Sequence, residues 1–217
     1  MPAETSQTLD RGLRLLTLVA SSSSGYSIGE LSHALELNRT IVYRLAATLE
    51  QHGLVRRDAR GKVGAGLGLV QLGHSMQPVL QSRATPVLRA LADEVGATAH
   101  LTIAEGDEAV AIAVVEPRWT DLHVAYRVGA RHRLGDGAAG KAILLGRAPV
   151  PADGSDFIHT VGELESGAQG VAAPIRGLGA LEASVGLVSL VSLSVLEPAT
   201  LGPLVVRAAE RVGRALA

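Results

Sequence analysis

The most constraining stretch of this chain is residues 27–53. Ser27-Ile28-Gly29-Glu30 has the spacing of a capping box, in which the serine oxygen accepts an orphan backbone N–H and the glutamate reaches back. Tyr26 before it and Leu31 after it can form a hydrophobic staple, and Ile28, Leu31 and Leu35 give a short helix one buried face. Glu36-Leu37-Asn38 then makes a tight connection, with Asn38 a good N-cap for a longer helix. There Ile41, Leu45 and Leu49 recur at helical spacing and are expected to face inward, until Gly53 ends the helix. A preceding helix is expected from about Thr8, with Leu9, Leu13, Leu16 and Ala20 on one face and the polar run 21–25 as its stop. Short helices, a three-residue turn and a longer third helix describe a helix-turn-helix.

The outer face of the third helix carries Arg39, Thr40, Tyr43, Arg44 and Ala47. Arginines can pair with phosphate or fork onto a guanine edge, hydroxyls can bond phosphate, and a small alanine permits close approach. Next, 54–57 reads as a strand, 58–61 as a turn and 62–63 as the returning strand, a basic hairpin wing carrying Arg56, Arg57, Arg60 and Lys62. Within 38–62 six basic residues stand against two acidic ones, in a chain whose net charge is −1. A localised polyanion contact explains that bias, and an ordinary solvated face explains it too. Capping box, turn, basic face and basic hairpin together favour DNA binding over a plain helical bundle. Ser27, Asn38, Arg39, Thr40, Tyr43, Arg44, Arg56, Arg57, Arg60 and Lys62 are the candidate contacts.

The remainder reads as an α+β domain with an aliphatic core, since the aromatics are only Tyr26, Tyr43, Trp119, Tyr126 and Phe157. A helical region from about Leu67 to Val95 is expected to break at Pro78 and across 82–86. Strands are expected at 98–104, 109–115, 122–127, 170–175 and 184–194, the first two joined by a turn at 105–108, with the last one central in a mixed sheet. A final helix from about Leu201 presents Leu204, Val205, Ala208, Val212 and Leu216 as one stripe. Gly135-Asp136-Gly137-Ala138-Ala139-Gly140 spells G-x-G-x-x-G, but a dinucleotide site also needs a parallel βαβ unit and an acidic residue ending the next strand, where only Asp153 and Asp156 offer themselves. Short of that, glycines and the free N–H groups of a helix start can admit a small carboxylate, and a tight packing turn is the equal alternative. Candidate effector residues are Trp119, Asp136, Gly137, Ala138, Ala139, Gly140, Ser189 and Ser192, with Trp119 either a lid or a loop anchor.

Several chemistries find no support. The chain has no cysteine, which excludes disulfides and thiolate metal sites. His100, His123 and His132 fall on different elements without metal-ligand spacing, and no nucleophile–base pattern or paired carboxylates suggest catalysis, so no metal, cofactor or enzyme activity is expected. The N-terminus does not read as a signal peptide and no apolar run is long enough for a membrane span, so a cytoplasmic protein is expected.

Five segments in order resemble one family. They are 37–45 with 48–50 and 53–58, then Leu69-Val70-Gln71-Leu72-Gly73, then 128–134, then Ala138-Ala139-Gly140-Lys141-Ala142, then Val171-Ala172-Ala173-Pro174-Ile175-Arg176. They resemble the isocitrate lyase regulator (IclR) family. The resemblance implies a winged helix-turn-helix over 1–66, a linker helix over 67–82 and a GAF-like mixed α/β effector-binding domain over 83–217. It further implies a homodimer or dimer of dimers on an inverted-repeat operator, with DNA affinity set by a small-molecule effector, often a small organic acid. Relative to the family, Gly137 stands where a hydroxyl residue is common, and the stretch between Leu145 and Gly170 is short. A winged-helix protein-interaction module and, further off, a nucleotide-using enzyme at Gly135–Gly140 are the competing functions.

Overall fold

The computed structural model describes residues 5–74, 76–120, 124–152, 155–191 and 197–217. The chain divides into two compact units, residues 1–76 and 77–217.

In the first unit, α1 (Gln7–Ala20), α2 (Ile28–Ala34) and α3 (Arg39–Gln51) precede a two-stranded antiparallel sheet of β1 (Val55–Arg57) and β2 (Val63–Ala65) and a short α4 (Gly68–His74). The capping box is formed: Ser27 Oγ accepts from Glu30 N–H at 3.2 Å and Glu30 Oε2 accepts from Ser27 N–H at 2.6 Å. The turn into α3 turns sharply at Glu36, whose φ is 55°, and the Ser32 hydroxyl donates to Leu37 O across it. Leu15, Val19, Leu31, Leu35, Val42, Leu45, Ala46, Val55 and Val63 form the core. Two inward faces therefore differ from expectation. On α1 the buried residues are Leu15 and Val19, whereas Leu9 and Leu13 are exposed; on α3 Val42, Leu45 and Ala46 are buried and Ile41 is exposed. Both helices offer two candidate apolar rows about one residue apart, and sequence spacing alone does not choose between them.

In the second unit α5 spans Met76–Val95 without a break at Pro78 or across 82–86. Pro78 lies in the first turn, where its missing N–H costs nothing, and Pro86 is carried within a helix anchored by the buried Ala84, Val87, Leu88, Leu91 and Ala92. Six strands follow: β3 (Thr98–Glu105), β4 (Glu108–Val115), β5 (Arg131–Arg133), β6 (Ile158–Val161), β7 (Ala168–Ile175) and β8 (Ala183–Leu190). Their order is β5-β4-β3-β8-β7-β6, and every pairing is antiparallel rather than mixed. The β3–β4 turn and the interior place of β8 follow the sequence pattern. Residues 124–127 are not a strand, and 122–123 and 192–194 lie outside the described residues.

Side-chain alternation gives the sheet two covered faces. Ala99, Leu101, Val171, Ala173, Val185 and Leu187 pack with the apolar stripes of α5 and α7 (Pro198–Leu216). The other parity meets α6 (Gly137–Gly146), where Ala138 and Ala142 pack on Ala172 and the Ser184 hydroxyl donates to Ala139 O at 3.0 Å. Arg176 closes the far end of α6: it donates to Leu145 O, Gly146 O and Ala148 O and is held by Asp156 at 2.6 and 2.8 Å. A cation there complements the negative end of the helix dipole.

Candidate nucleic-acid interface and ligand cavity

The outward face of α3 carries Arg39, Thr40, Tyr43 and Arg44, all exposed. Asn38 serves as the N-cap, its Oδ1 accepting from Thr40 N–H at 2.8 Å. The Arg39 guanidinium lies beside Gly29 of α2. Arg57 is less free: it stacks 4.5 Å from the Tyr43 ring centroid and pairs with Glu50 at 3.2 Å. That cation–π contact ties the wing base to the face of α3. The wing tip is ordered by Asp58, whose Oδ1 accepts from the N–H groups of Arg60 and Lys62 at 2.9 and 2.8 Å, leaving Arg60 exposed at the tip. Those bonds hold the Asp58 carboxyl below its ordinary pKa. Tyr26 bridges to Val63 and adds a third edge to the hairpin. Ser27 is engaged in its capping box, at the head of α2.

The second unit contains a cavity of about 320 Å³ between the α6 side of the sheet and the loops above it. Its lining includes His100 from β3, Leu187 and Val188 from β8, Gln169 and Gly170 from β7, Thr160 from β6, His132 from β5 and Tyr126. His100 lies across the sheet because its cross-strand neighbour is Gly186; a Cβ there would stand 2.4 Å from the ring. His100 Nδ1 is 3.1 Å from Thr102 Oγ1, and the Tyr126 ring lies 5.1 Å from the imidazole centroid. Burial, reinforced by His132 nearby, pushes the His100 pKa down to about 4, so the ring is neutral at pH 7. Burial also raises the Tyr126 pKa. His132 Nδ1 is 3.0 Å from Arg133 O, while its Nε2 is buried with no hydrogen-bond partner among the described residues.

Of the expected effector residues, Ala138 and Ala139 line this cavity. Ser189 stands one bond behind the wall, accepting from Gln169 Nε2 at 3.2 Å. Asp136 instead faces a separate shallow depression with Asp107, Arg133 and Arg147. Trp119 is a loop anchor, its Nε1–H donating to Asp93 O at 2.6 Å and its ring resting on Gly96. Ser192 and Asp153 lie outside the described residues. The glycines of G-x-G-x-x-G serve packing: Gly140 presses on Leu134 backbone atoms, and Gly137 has φ +70° with Leu164 seated over it. β5 before the motif pairs only antiparallel with β4, and Asp156 is committed to Arg176, so this stretch has no dinucleotide geometry. The expected carboxylate at the head of α6 is present, but it is the protein's own. Glu163 Oε2 accepts from Gly137 N–H at 2.9 Å, and Lys141 Nζ lies 2.5 and 2.7 Å from its two oxygens. Both contacts lower the Glu163 pKa.

A winged helix-turn-helix with an exposed basic face, followed by an α+β unit that holds a cavity, is the two-part build of a helix-turn-helix regulator. Residues 8–59 match the IclR helix-turn-helix domain and residues 75–152 the C-terminal domain of bacterial transcriptional regulator IclR, together more than half of the chain. The chain belongs to the IclR family. The HTH-type transcriptional regulator KipR of Bacillus subtilis (strain 168) is 29% identical over 195 residues, which cover 88% of this chain and 76% of KipR. The transcriptional repressor IclR of Escherichia coli (strain K12) is 30% identical over 145 residues, 64% of this chain. The chain thus spans about half the length of that repressor, 52%. Among solved structures, an IclR homolog from Microbacterium hydrocarbonoxydans complexed with 4-hydroxybenzoate has a TM-score of 0.54 at 20% identity, with 97% of this chain and 99% of that chain covered. At that identity the likeness concerns the fold.

Proposed function

We propose that this chain regulates transcription by docking α3 in the major groove of an operator, with the wing on the flanking backbone, under control of a small molecule in the 320 Å³ cavity. The observation that carries the reading is the α3 face itself. Arg39, Thr40, Tyr43 and Arg44 project from a helix whose opposite side is buried, and they make no ion pair with an acidic neighbour among the described residues. Arg56, Arg60 and Lys62 of the wing extend the same positive surface, whereas Ser27, Asn38 and Arg57 act by holding helix starts and wing in place. A regulator that acts on chromosomal DNA would act in the cytoplasm, which is the compartment this reading implies; no described helix is long and apolar enough to cross a membrane.

A homodimer on an inverted repeat completes the reading. Leu9 and Leu13, 62% and 53% exposed, form an i, i+4 apolar pair on α1, and Leu67 and Val70 are also exposed. Exposed apolar side chains of this kind on a small unit support an interface between copies of the chain. A solved structure of similar fold is complexed with 4-hydroxybenzoate, which supports a small-molecule effector, and the cavity of the second unit is the site we assign to it.

The test is fluorescence anisotropy with the DNA upstream of the protein's own gene, against a scrambled duplex, over a salt series. Specific binding with a steep salt slope is expected, and Arg44→Ala should lower that slope by about one while the fold is retained. Equal affinity for both duplexes with a shallow slope would move the first unit to a protein-binding role.

A further inference from the structure

The electrostatics of the cavity assign a class of ligand. The position where an acidic ligand would sit, at the N-terminus of α6, is taken by Glu163. Its carboxylate has both the Gly137 N–H and the Lys141 ammonium, and Leu164 beside it is seated on Gly137. Helix-end charge and ammonium are thereby neutralised from within the chain. Among the described residues lining the cavity there is no lysine or arginine; the side chains of fixed charge are Glu163 and Glu165. A carboxylate entering this space would lose its hydration and find the nearby ammonium, Lys141, already paired with Glu163, an unfavourable exchange.

The groups left open to a ligand are of another kind. His132 lines the cavity, and its Nε2 is buried with no hydrogen-bond partner among the described residues, a polar atom whose bonding is still to be satisfied. His100 presents a neutral imidazole on the cavity floor, its Nδ1 held by Thr102. The neutral imidazole of His100 offers one donor and one acceptor, depending on tautomer. Val188, Ala138 and Ala139 supply apolar contact, and the volume is at the small end for ligand pockets.

We propose that this cavity receives an uncharged molecule of about one ring, such as an alcohol, phenol, amide or lactone, bonded by His132 and His100, and that Glu163 is the internal carboxylate that excludes acids. The proposal rests on the cavity being the effector site, and it departs from the small organic acid that the family resemblance implies.

The experiment uses the full chain with labelled histidine rings, titrated by NMR near neutral pH with benzamide, benzyl alcohol and benzoate, which share a ring and differ in charge. Benzamide and benzyl alcohol should shift the His132 and His100 ring signals and bind about tenfold or more tightly than benzoate. In Glu163→Gln the amide oxygen still accepts from Gly137 N–H, so the loop stays seated while Lys141 is released. Benzoate affinity should then rise about tenfold with benzamide nearly unchanged. Benzoate binding the native chain as well as benzamide overturns the assignment, and so does a Glu163→Gln chain that gains nothing for benzoate. Failure of all three probes to move either imidazole overturns the cavity itself as the ligand site, and the class with it, leaving the DNA-binding test above untouched.

Discussion

Acidification should destabilise the second unit through His100. That residue is 5% exposed, bonded to Thr102 and beside a second histidine, and its pKa falls from 6.5 to about 4. The unfolded chain takes up a proton at this position as pH drops through about 6.5, while the native state stays neutral until about 4. Stability from this residue is therefore intact above pH 6.5, declines across the window and levels off below about 4. At about 1.4 kcal/mol for each pH unit of difference, the full loss is roughly 3 kcal/mol. Water in the adjoining cavity would help to solvate an imidazolium, so that figure is a ceiling. Trp119 is the single tryptophan and rests on Gly96 in the second unit, so its fluorescence follows urea unfolding of that unit. Native chain and His100→Gln are compared from about pH 7.5 to about pH 4.5; carboxylates such as Glu163 and Glu182 titrate in both and cancel in the difference. The native chain should lose up to about 3 kcal/mol more than the variant. Parallel stability curves would refute the reasoning, because they would mean that His100 is solvated or already paired when charged.

Three further outcomes are expected. Ser27→Ala removes one half of the capping box and should cost about 1 kcal/mol in the first unit, read by helix melting in circular dichroism; an unchanged melt would leave Ser27 free to act on DNA directly. Leu13→Glu puts a charge in the exposed apolar pair of α1 and should halve the mass seen by analytical ultracentrifugation, whereas an unaltered mass would move the interface off α1. Arg176→Ala leaves the largely buried Asp156 without its partner and the last carbonyls of α6 uncapped, a loss of about 2–3 kcal/mol in urea unfolding followed by Trp119; a change below about 0.5 kcal/mol would show that water replaces the guanidinium.

The first unit was largely legible because its determinants are local. A capping box, an N-cap and a tight turn each act within about five residues, and the structure forms all three. What misled was the choice between adjacent rows on one helix. Leu9 and Leu13 continue the row of Leu16 as well as Val19 continues that of Leu15, and only contacts with α3 and β2 decide which is buried. The exposed row is informative for the same reason: apolar side chains that pattern like core but stay outside are those that a partner surface would cover.

The cavity was nearly invisible in the sequence because its parts are joined by sheet register. His100 and His132 sit on strands that each pair with β4, His100 opposite Val114 and His132 opposite Ala109, and nothing within either segment says so. Glu163 reads as one acidic loop residue among others until the β6–β7 hairpin carries it to Gly137 and Lys141, 26 and 22 positions away. Ala138 and Ala139 were recognisable because a helix start after glycines is a local feature, yet the sequence left a ligand carboxylate and a packing turn equally open there, and the carboxylate present is a side chain of the same chain. A helix N-terminus attracts any carboxylate that reaches it, and an internal one arrives without loss of translational freedom. An external acid must therefore outcompete a tethered one of the same charge, while an uncharged ligand meets no such rival at His132 and His100.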